Sequence, residues 1–189
     1  MVPDTIFRPP IYYVDSLPNI AQFGIYATLT PGSNFAWMCL PMKDKAMATV
    51  HDVAAYILKK QGSMTTMKLQ KLVYYCQAWS LVWDDKALFP EKIQAWANGP
   101  VVADLYEVHR GKYSVGSWTL GNCKKLSEIQ RETIDAVLGY YGDKSSQWLS
   151  DLTHKEDPWL NARKGLPSGA RGSKVITHAS MAEYYEALA

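Results

Sequence analysis

The chain has 189 residues, of which 48% are hydrophobic and 12% aromatic, so its length and composition favour one domain with one hydrophobic core. Its 20 basic and 18 acidic side chains give a formal charge of +2. The chain therefore lacks the concentrated positive charge of a protein that binds nucleic acid non-specifically. The three cysteines, Cys39, Cys76 and Cys123, are widely spaced and odd in number, which argues against a disulfide framework and favours a reducing cytoplasm.

No stretch of the sequence approaches the ~18 uncharged apolar residues that a membrane-spanning helix needs. The first 30 residues contain Asp4, Asp15 and four prolines, whereas a secretory signal has a basic start followed by an unbroken apolar segment. We therefore expect a cytoplasmic protein without a membrane span.

The composition of the chain changes near Met47. Residues 1–46 carry six of the ten prolines and show neither helical nor strand periodicity, whereas a regular pattern begins at "MATVHDVAAYIL". We interpret residues 1–46 as an atypical N-terminal extension, which is either a disordered appendage or the product of an over-extended reading frame. The alternative is an extension that packs its aromatic side chains onto the domain. Residues 47–189 form the predicted domain.

The first helix of this domain is predicted over residues 49–60. Thr49 and Asp52 have the spacing of a capping box, and apolar residues follow at the intervals of one helical face. Gly62 is placed where a helix of this length would end, because glycine readily adopts the left-handed conformation of a C-terminal cap.

A second helix is predicted to begin after Thr65 or Thr66, either of which can act as its N-cap. From residue 72 to 83 only Gln77 and Ser80 are clearly polar, so both faces of the helix are apolar. Such a helix is surrounded by protein. We therefore expect it to be the buried central helix of the domain.

The segment "KIQAWANGPVVADLYEVHRG" predicts a short strand followed by a helix. Residues 93–97 alternate in the manner of a strand, and Asn98 or Gly99 would cap a helix with Pro100 at its first position and Gly111 at its end. Next comes "YSVGSWTLGN", for which we predict a loop or weak strand.

Three more helices are predicted in the last third of the chain. Ser127 and Gln130 form another capping box, and this helix ends at Gly142; a shorter helix stops before Pro158, and the last begins at Ser180. The predicted fold class is therefore mainly α: a compact single helical domain around a buried central helix, with a small β-hairpin or short strands.

The densest polar cluster in the sequence is "LTHKEDPW". His154, Glu156 and Asp157 carry groups that can act as a general base or as metal ligands, although their spacing matches no established ligand pattern. The structural alternative has His154 or Asp157 capping backbone groups around a Pro158 turn, with Trp159 in the core. The structural alternative is favoured, because no hydrolase, zinc or phosphate-loop motif is present elsewhere.

Two further features suggest binding of charged or flat ligands. The loop "GLPSGARG" could hold an anion with backbone N–H groups and Arg171, although a plain connecting loop is the favoured interpretation. Seven tryptophans suggest a platform for stacking nucleic-acid bases, but the basic groove that such a platform needs is missing. Trp96 and Trp118 are the better candidates for exposed anchors.

Lys68 and Lys71 lie in the first turns of the second helix, where a cation opposes the positive end of the helix dipole by ~0.3–1 kcal/mol. A violated local rule can mark a functional residue. Two interpretations stay open: both side chains extend into water, or they contact an acidic partner surface.

Three separated motifs, KLxKLxYYxQAW, AWxxGPVVxxxY and LTHxExPW, occur in an order that resembles the Panacea domain, the family of SocA-like antitoxins and phage-associated GepA-like proteins. The resemblance extends over about residues 47–188. It implies a mostly helical domain that binds a cognate protein toxin encoded by a neighbouring gene. It brings no cofactor and no catalytic residue.

These observations lead us to expect an antitoxin that neutralises its toxin by direct binding, or an adaptor that delivers the toxin to a protease. The alternatives are a small hydrolase or metal enzyme that uses the LTHKEDPW cluster, and a DNA-binding regulator, for which no basic recognition helix stands out. The candidate partner-binding residues are Lys68, Lys71, Trp96, Tyr106, His154, Glu156 and Asp157.

Overall fold

The computed structural model of the protein describes residues 47–167 and 169–189. The predictions for residues 1–46, including Cys39, lie outside the described residues. Within the described part, no helix is both long enough and apolar enough to cross a membrane.

The described residues form mainly helices, which confirms the predicted class. The seven α helices of the described residues are α1 Val50–Gln61, α2 Thr66–Trp83, α3 Ala103–His109, α4 Glu128–Tyr141, α5 Ser146–Thr153, α6 Asp157–Ala162 and α7 His178–Glu186. The short strands are β1 Met64–Thr65, β2 Ile93–Trp96, β3 Gly99–Val102, β4 Ser114–Val115 and β5 Val175–Ile176, and a 3-10 turn covers Cys123–Lys125.

The strands form two small antiparallel sheets. Strand β2 pairs with β3 on one side and with β5 on the other, and β1 pairs with β4. In the β2–β3 hairpin Trp96 pairs with Gly99, so Ala97 and Asn98 form a two-residue turn. This hairpin is packed against α2 and carries the side chains of one wall of the pocket described below.

Helix α2 has twelve consecutive buried residues, from Leu69 to Ser80. It packs against α1, α4, α5, α7 and β3. Its N-cap is Thr65, whose hydroxyl accepts a hydrogen bond from the N–H of Lys68 over 3.2 Å. Aromatic side chains fill much of the space around it, and the ring of Tyr75 stacks on a tyrosine of α4 with centroids 4.0 Å apart.

The polar residue Gln77 within this apolar helix has a structural explanation. Its side chain is fully buried, and its amide oxygen accepts hydrogen bonds from the N–H groups of Leu88 and Phe89 over 3.0 and 3.1 Å. Its amide nitrogen donates to the Phe89 carbonyl over 3.2 Å. Gln77 therefore fixes the segment that leads from α2 to the hairpin and satisfies backbone groups that would otherwise be buried without partners.

The helix boundaries marked by capping boxes are confirmed. The N–H of Thr49 donates to the Asp52 carboxylate over 2.9 Å at the start of α1, and Ser127 and Gln130 make the reciprocal bonds at the start of α4. Helix α1 ends before Gly62, which has a positive φ of 74°.

The predicted helix start at "NGP" is wrong, because residues 99–102 form strand β3 and α3 begins only at Ala103. Proline is tolerated both in the first turn of a helix and on an edge strand, so Pro100 does not distinguish the two by itself. In the structure it lies on an edge strand opposite Ala95, where a missing N–H costs no ladder bond on the open side. Strand β3 forms because it pairs with β2, and the local signals used to predict a helix start carry no information about that pairing.

Two other boundaries also differ from the prediction. Pro158 lies in the first turn of a helix, α6, where proline is tolerated because the first helical N–H groups have no partner within the helix. Helix α7 begins at His178 after the N-cap Thr177, two residues before the predicted start.

Two glycine substitutions test how tightly α1 is packed against the segment that follows Trp118. A Cβ atom on Gly121 would lie 1.9 Å from the His51 carbonyl oxygen and 2.9 Å from the Ala55 Cβ, so Gly121→Ala should lower the free energy of unfolding by about 1–3 kcal/mol. Gly139 lies within α4 with no atom within 4 Å of such a Cβ, and Gly139→Ala should raise it by about 0.5–1 kcal/mol. Urea denaturation of both variants measures the two changes; equal stability of Gly121→Ala and wild type would contradict the packing.

Candidate functional site

Hydrogen bonds join the three sequence motifs at one place in the fold. Lys71 Nζ donates to the Pro100 carbonyl over 3.1 Å, Tyr75 OH donates to Glu156 over 3.2 Å, and Trp159 Nε1 donates to the Trp96 carbonyl over 2.9 Å. Each motif is therefore bonded to both of the others.

The Glu156 carboxylate lies inside this junction and is 3% exposed. Its oxygens accept hydrogen bonds from the hydroxyls of Tyr75 and Tyr185, over 3.2 and 2.8 Å. Burial raises the pKa of Glu156 to about 7, against the opposing effects of the two tyrosine hydroxyls and the charge of Lys71. The carboxyl group thus keeps its proton to an unusually high pH.

The Lys71 ammonium is 1% exposed, and burial lowers its pKa to about 7, with the charge of Glu156 opposing the shift. Among the described residues its one hydrogen-bond acceptor is the Pro100 carbonyl, and no carboxylate lies within 4.0 Å. Space for the ammonium comes from Gly99, which has a φ of 102° and whose added Cβ would lie 2.5 Å from Nζ.

Lys71 also lines a pocket with a volume of about 300 Å³. The pocket lies between the start of α2, the β2–β3 hairpin, α3 and the loop that carries Arg171. Its apolar walls come from Met67, Trp96, Val101 and Tyr106. The rings of Trp96 and Tyr106 meet edge to face with centroids 4.8 Å apart, which leaves an aromatic surface beside a buried cation.

Gln70 fixes the polar wall of the pocket. Its amide oxygen accepts from the Val102 N–H over 2.9 Å, and its amide nitrogen contacts His109 Nε2 over 3.0 Å. Burial lowers the pKa of His109, so a neutral imidazole accepts the hydrogen bond from the amide. The pair ties α2 to β3 and α3 without adding charge to the pocket.

The structure brings three of the predicted partner-binding residues, Lys71, Trp96 and Tyr106, to this pocket. Lys68 is engaged elsewhere: its ammonium donates to the Gly142 carbonyl over 2.7 Å, at the C-terminal end of α4. A cation is favourable at that end of a helix dipole, which offsets its unfavourable position at the start of α2.

The LTHKEDPW cluster does not form a three-ligand site. Glu156 faces the tyrosine hydroxyls, Asp157 is exposed in the first turn of α6, and the His154 ring packs on Trp159 with centroids 4.3 Å apart. In the described part of the chain no three His, Cys, Asp or Glu side chains are close enough to hold a metal ion. Glu156 is buried, and its hydrogen bonds are to Tyr75 and Tyr185 within the domain; its contact with a partner stays a prediction.

Sequence reasoning missed Gln70, His109 and Met67 as pocket residues. A signal existed, because Met67, Gln70 and Lys71 have the i, i+3, i+4 spacing of a single helical face. His109 lies at the end of α3 and Arg171 in a connecting loop, and only the tertiary structure brings them to the start of α2.

Two of the buried ionisable groups, Glu156 and Lys71, contribute a minimum near pH 7 to the pH dependence of stability. Between about pH 4.5 and 7 the folded protein holds the Glu156 proton and the unfolded chain does not, so the free energy of unfolding falls as pH rises. Between about pH 7 and 10.5 the unfolded chain holds the Lys71 proton and the folded protein does not, so stability rises again with pH. Each pKa unit corresponds to about 1.4 kcal/mol.

Denaturation curves at a series of pH values test this prediction. Glu156→Gln should remove the fall below pH 7, Lys71→Met should remove the rise above it, and the exposed Glu183→Gln should leave both intact. Identical pH profiles for wild type and Glu156→Gln would show that the buried carboxyl does not titrate as described.

The family model described as antitoxin SocA-like, Panacea domain, matches residues 69–160. No curated protein and no solved structure gives a significant match to the chain. The matched segment begins in α2, ends in α6, and contains most of the pocket's lining residues together with all three hydrogen-bonded motif contacts. The resemblance expected from the motifs is confirmed, and residues 69–160 carry the antitoxin SocA-like Panacea domain.

Proposed function

We propose that this protein is the antitoxin of a toxin–antitoxin system and neutralises a cognate protein toxin by binding it directly in the cytoplasm. The observation that carries the proposal is the family match over residues 69–160. The contact surface that we assign to the toxin is centred on the pocket and its rim, which Trp96, Tyr106 and Arg171 line.

The chemistry of this surface supports binding more than catalysis. Aromatic and arginine side chains are the residue types that contribute most to protein–protein affinity, and they do so best next to a preformed pocket. Glu156, the strongest candidate for a general base, is enclosed by tyrosine hydroxyls and does not line the pocket. We therefore propose a binding protein and not an enzyme.

Substitutions of two rim residues test the proposed surface. Arg171→Glu and Tyr106→Ala should weaken toxin binding by about 10- to 100-fold, because each removes an anchor of the kind that dominates interfaces. Lys124→Glu is the matched control, since Lys124 is exposed and does not line the pocket. The measurements are growth of cells that express the neighbouring gene with each variant, and the Kd of the purified pair.

The outcomes separate the function from its location. If the neighbouring gene is harmless alone, or equally toxic in the presence of the wild-type protein, the antitoxin proposal fails. If the wild type neutralises and both rim variants do so equally well, the function stands and the proposed surface is wrong.

Direct blocking and delivery to a protease make different predictions about the toxin. Blocking leaves the half-life of the toxin unchanged or longer while its activity disappears. Delivery shortens the half-life, and the shortening requires an active protease. Pulse-chase measurement of the toxin with and without this protein distinguishes the two routes.

A further inference from the structure

The pocket beside Lys71 combines a buried cation with apolar walls. Of its described lining residues, two are cations, Lys71 and Arg171, and none is acidic. Lys71 is 1% exposed, whereas Arg171 is exposed at the rim. A ligand that enters the pocket therefore meets positive charge both at its inner wall and at its mouth.

The Lys71 ammonium has capacity for further hydrogen bonds. An ammonium group has three N–H donors, and among the described residues the Pro100 carbonyl is its single acceptor. Glu156 does not serve as a second acceptor, because none of the described carboxylates lies within 4.0 Å of Nζ and the Glu156 oxygens are bonded to two tyrosines. A buried cation without full pairing is a group that an anionic ligand would stabilise.

The walls define the rest of the ligand. Trp96 and Tyr106 present rings whose centroids are 4.8 Å apart, and Met67 supplies an adaptable apolar side chain on α2. A volume of about 300 Å³ lies at the lower end of the range for small-molecule pockets, so it suits a single ring and not a nucleotide.

We propose that this pocket is a binding site for a carboxylate carried on an aromatic or other flat apolar group. The carboxylate accepts from the Lys71 ammonium and from the Arg171 guanidinium, and the apolar group packs against Trp96 and Tyr106. The carboxylate belongs either to a free small molecule or to a side chain or C-terminus of the bound protein. The proposal holds for the isolated protein and does not require the antitoxin function.

The test compares two probes of the same shape. Phenylacetate carries the carboxylate, and phenylacetamide replaces it with a neutral amide. We expect phenylacetate to bind about tenfold more tightly, since a charge-assisted hydrogen bond to a buried ammonium is available to the acid alone. A titration below pH 7, where Lys71 holds its proton, is followed by the NMR shifts of the Ala97, Asn98 and Val101 amides, which measure both affinities and locate the site.

Variants assign the preference to the two cations. Lys71→Met keeps the length of the side chain and removes a buried charge, a replacement that folded proteins often tolerate, and it should reduce the preference for the acid to the few-fold that Arg171 alone provides. Arg171→Gln should reduce the preference by several-fold and decides the matter if Lys71→Met fails to fold. Lys124→Gln, on the exposed surface away from the pocket, should keep the full preference.

Equal binding of acid and amide to the wild type would overturn the proposal, as would shifts confined to residues outside the pocket or an unchanged preference in the lysine and arginine variants. The source of the carboxylate is then determined with the toxin. Displacement of bound toxin by saturating phenylacetate assigns the carboxylate to the protein partner. Simultaneous binding of both assigns it to a free small molecule.

Discussion

Two ionisable side chains, Lys71 and Glu156, are buried in this domain without forming an ion pair with each other. Removal of a charge from water is costly unless hydrogen bonds replace the lost solvation. Here the ammonium is bonded to the Pro100 carbonyl, and the carboxylate to two tyrosine hydroxyls. These partners come from β3, α2 and α7, so the positions of three elements are fixed relative to one another by the need to satisfy two buried groups.

The polar side chains of α2 follow the same principle. Gln70 bonds the backbone of Val102, Gln77 bonds that of Phe89, and Ser80 donates to the Lys86 carbonyl over 2.9 Å. Each lies on a helix that is otherwise apolar, and each holds a segment outside the helices, which is strand β3 for Gln70 and the chain after α2 for Gln77 and Ser80. The segments around the pocket are therefore held to α2 by side-chain hydrogen bonds, which suits a site that must present rings and charges in fixed positions.

The motifs that identify the family have two different physical roles. Tyr75 and Glu156 are buried and hold the elements together, whereas Trp96 and Tyr106 are partly exposed at the pocket. Lys71 contributes to both roles, because its ammonium donates to the Pro100 carbonyl of the hairpin and its side chain lines the pocket. A change at Lys71 therefore affects the packing of the domain and the pocket together.

The sequence by itself determined the class of the fold, the extent of α1, α2 and α4, and the family resemblance, because capping residues and helical periodicity act over a few neighbouring positions. It did not determine the hairpin at "NGP", since strand pairing depends on a partner that local signals do not contain. Only the tertiary structure decided the hydrogen-bond partners of the two lysines. Lys68 donates to the end of α4, and Lys71 donates to the hairpin that forms one wall of the pocket. One helical turn carries both residues, and their different surroundings come from elements that are distant in the chain.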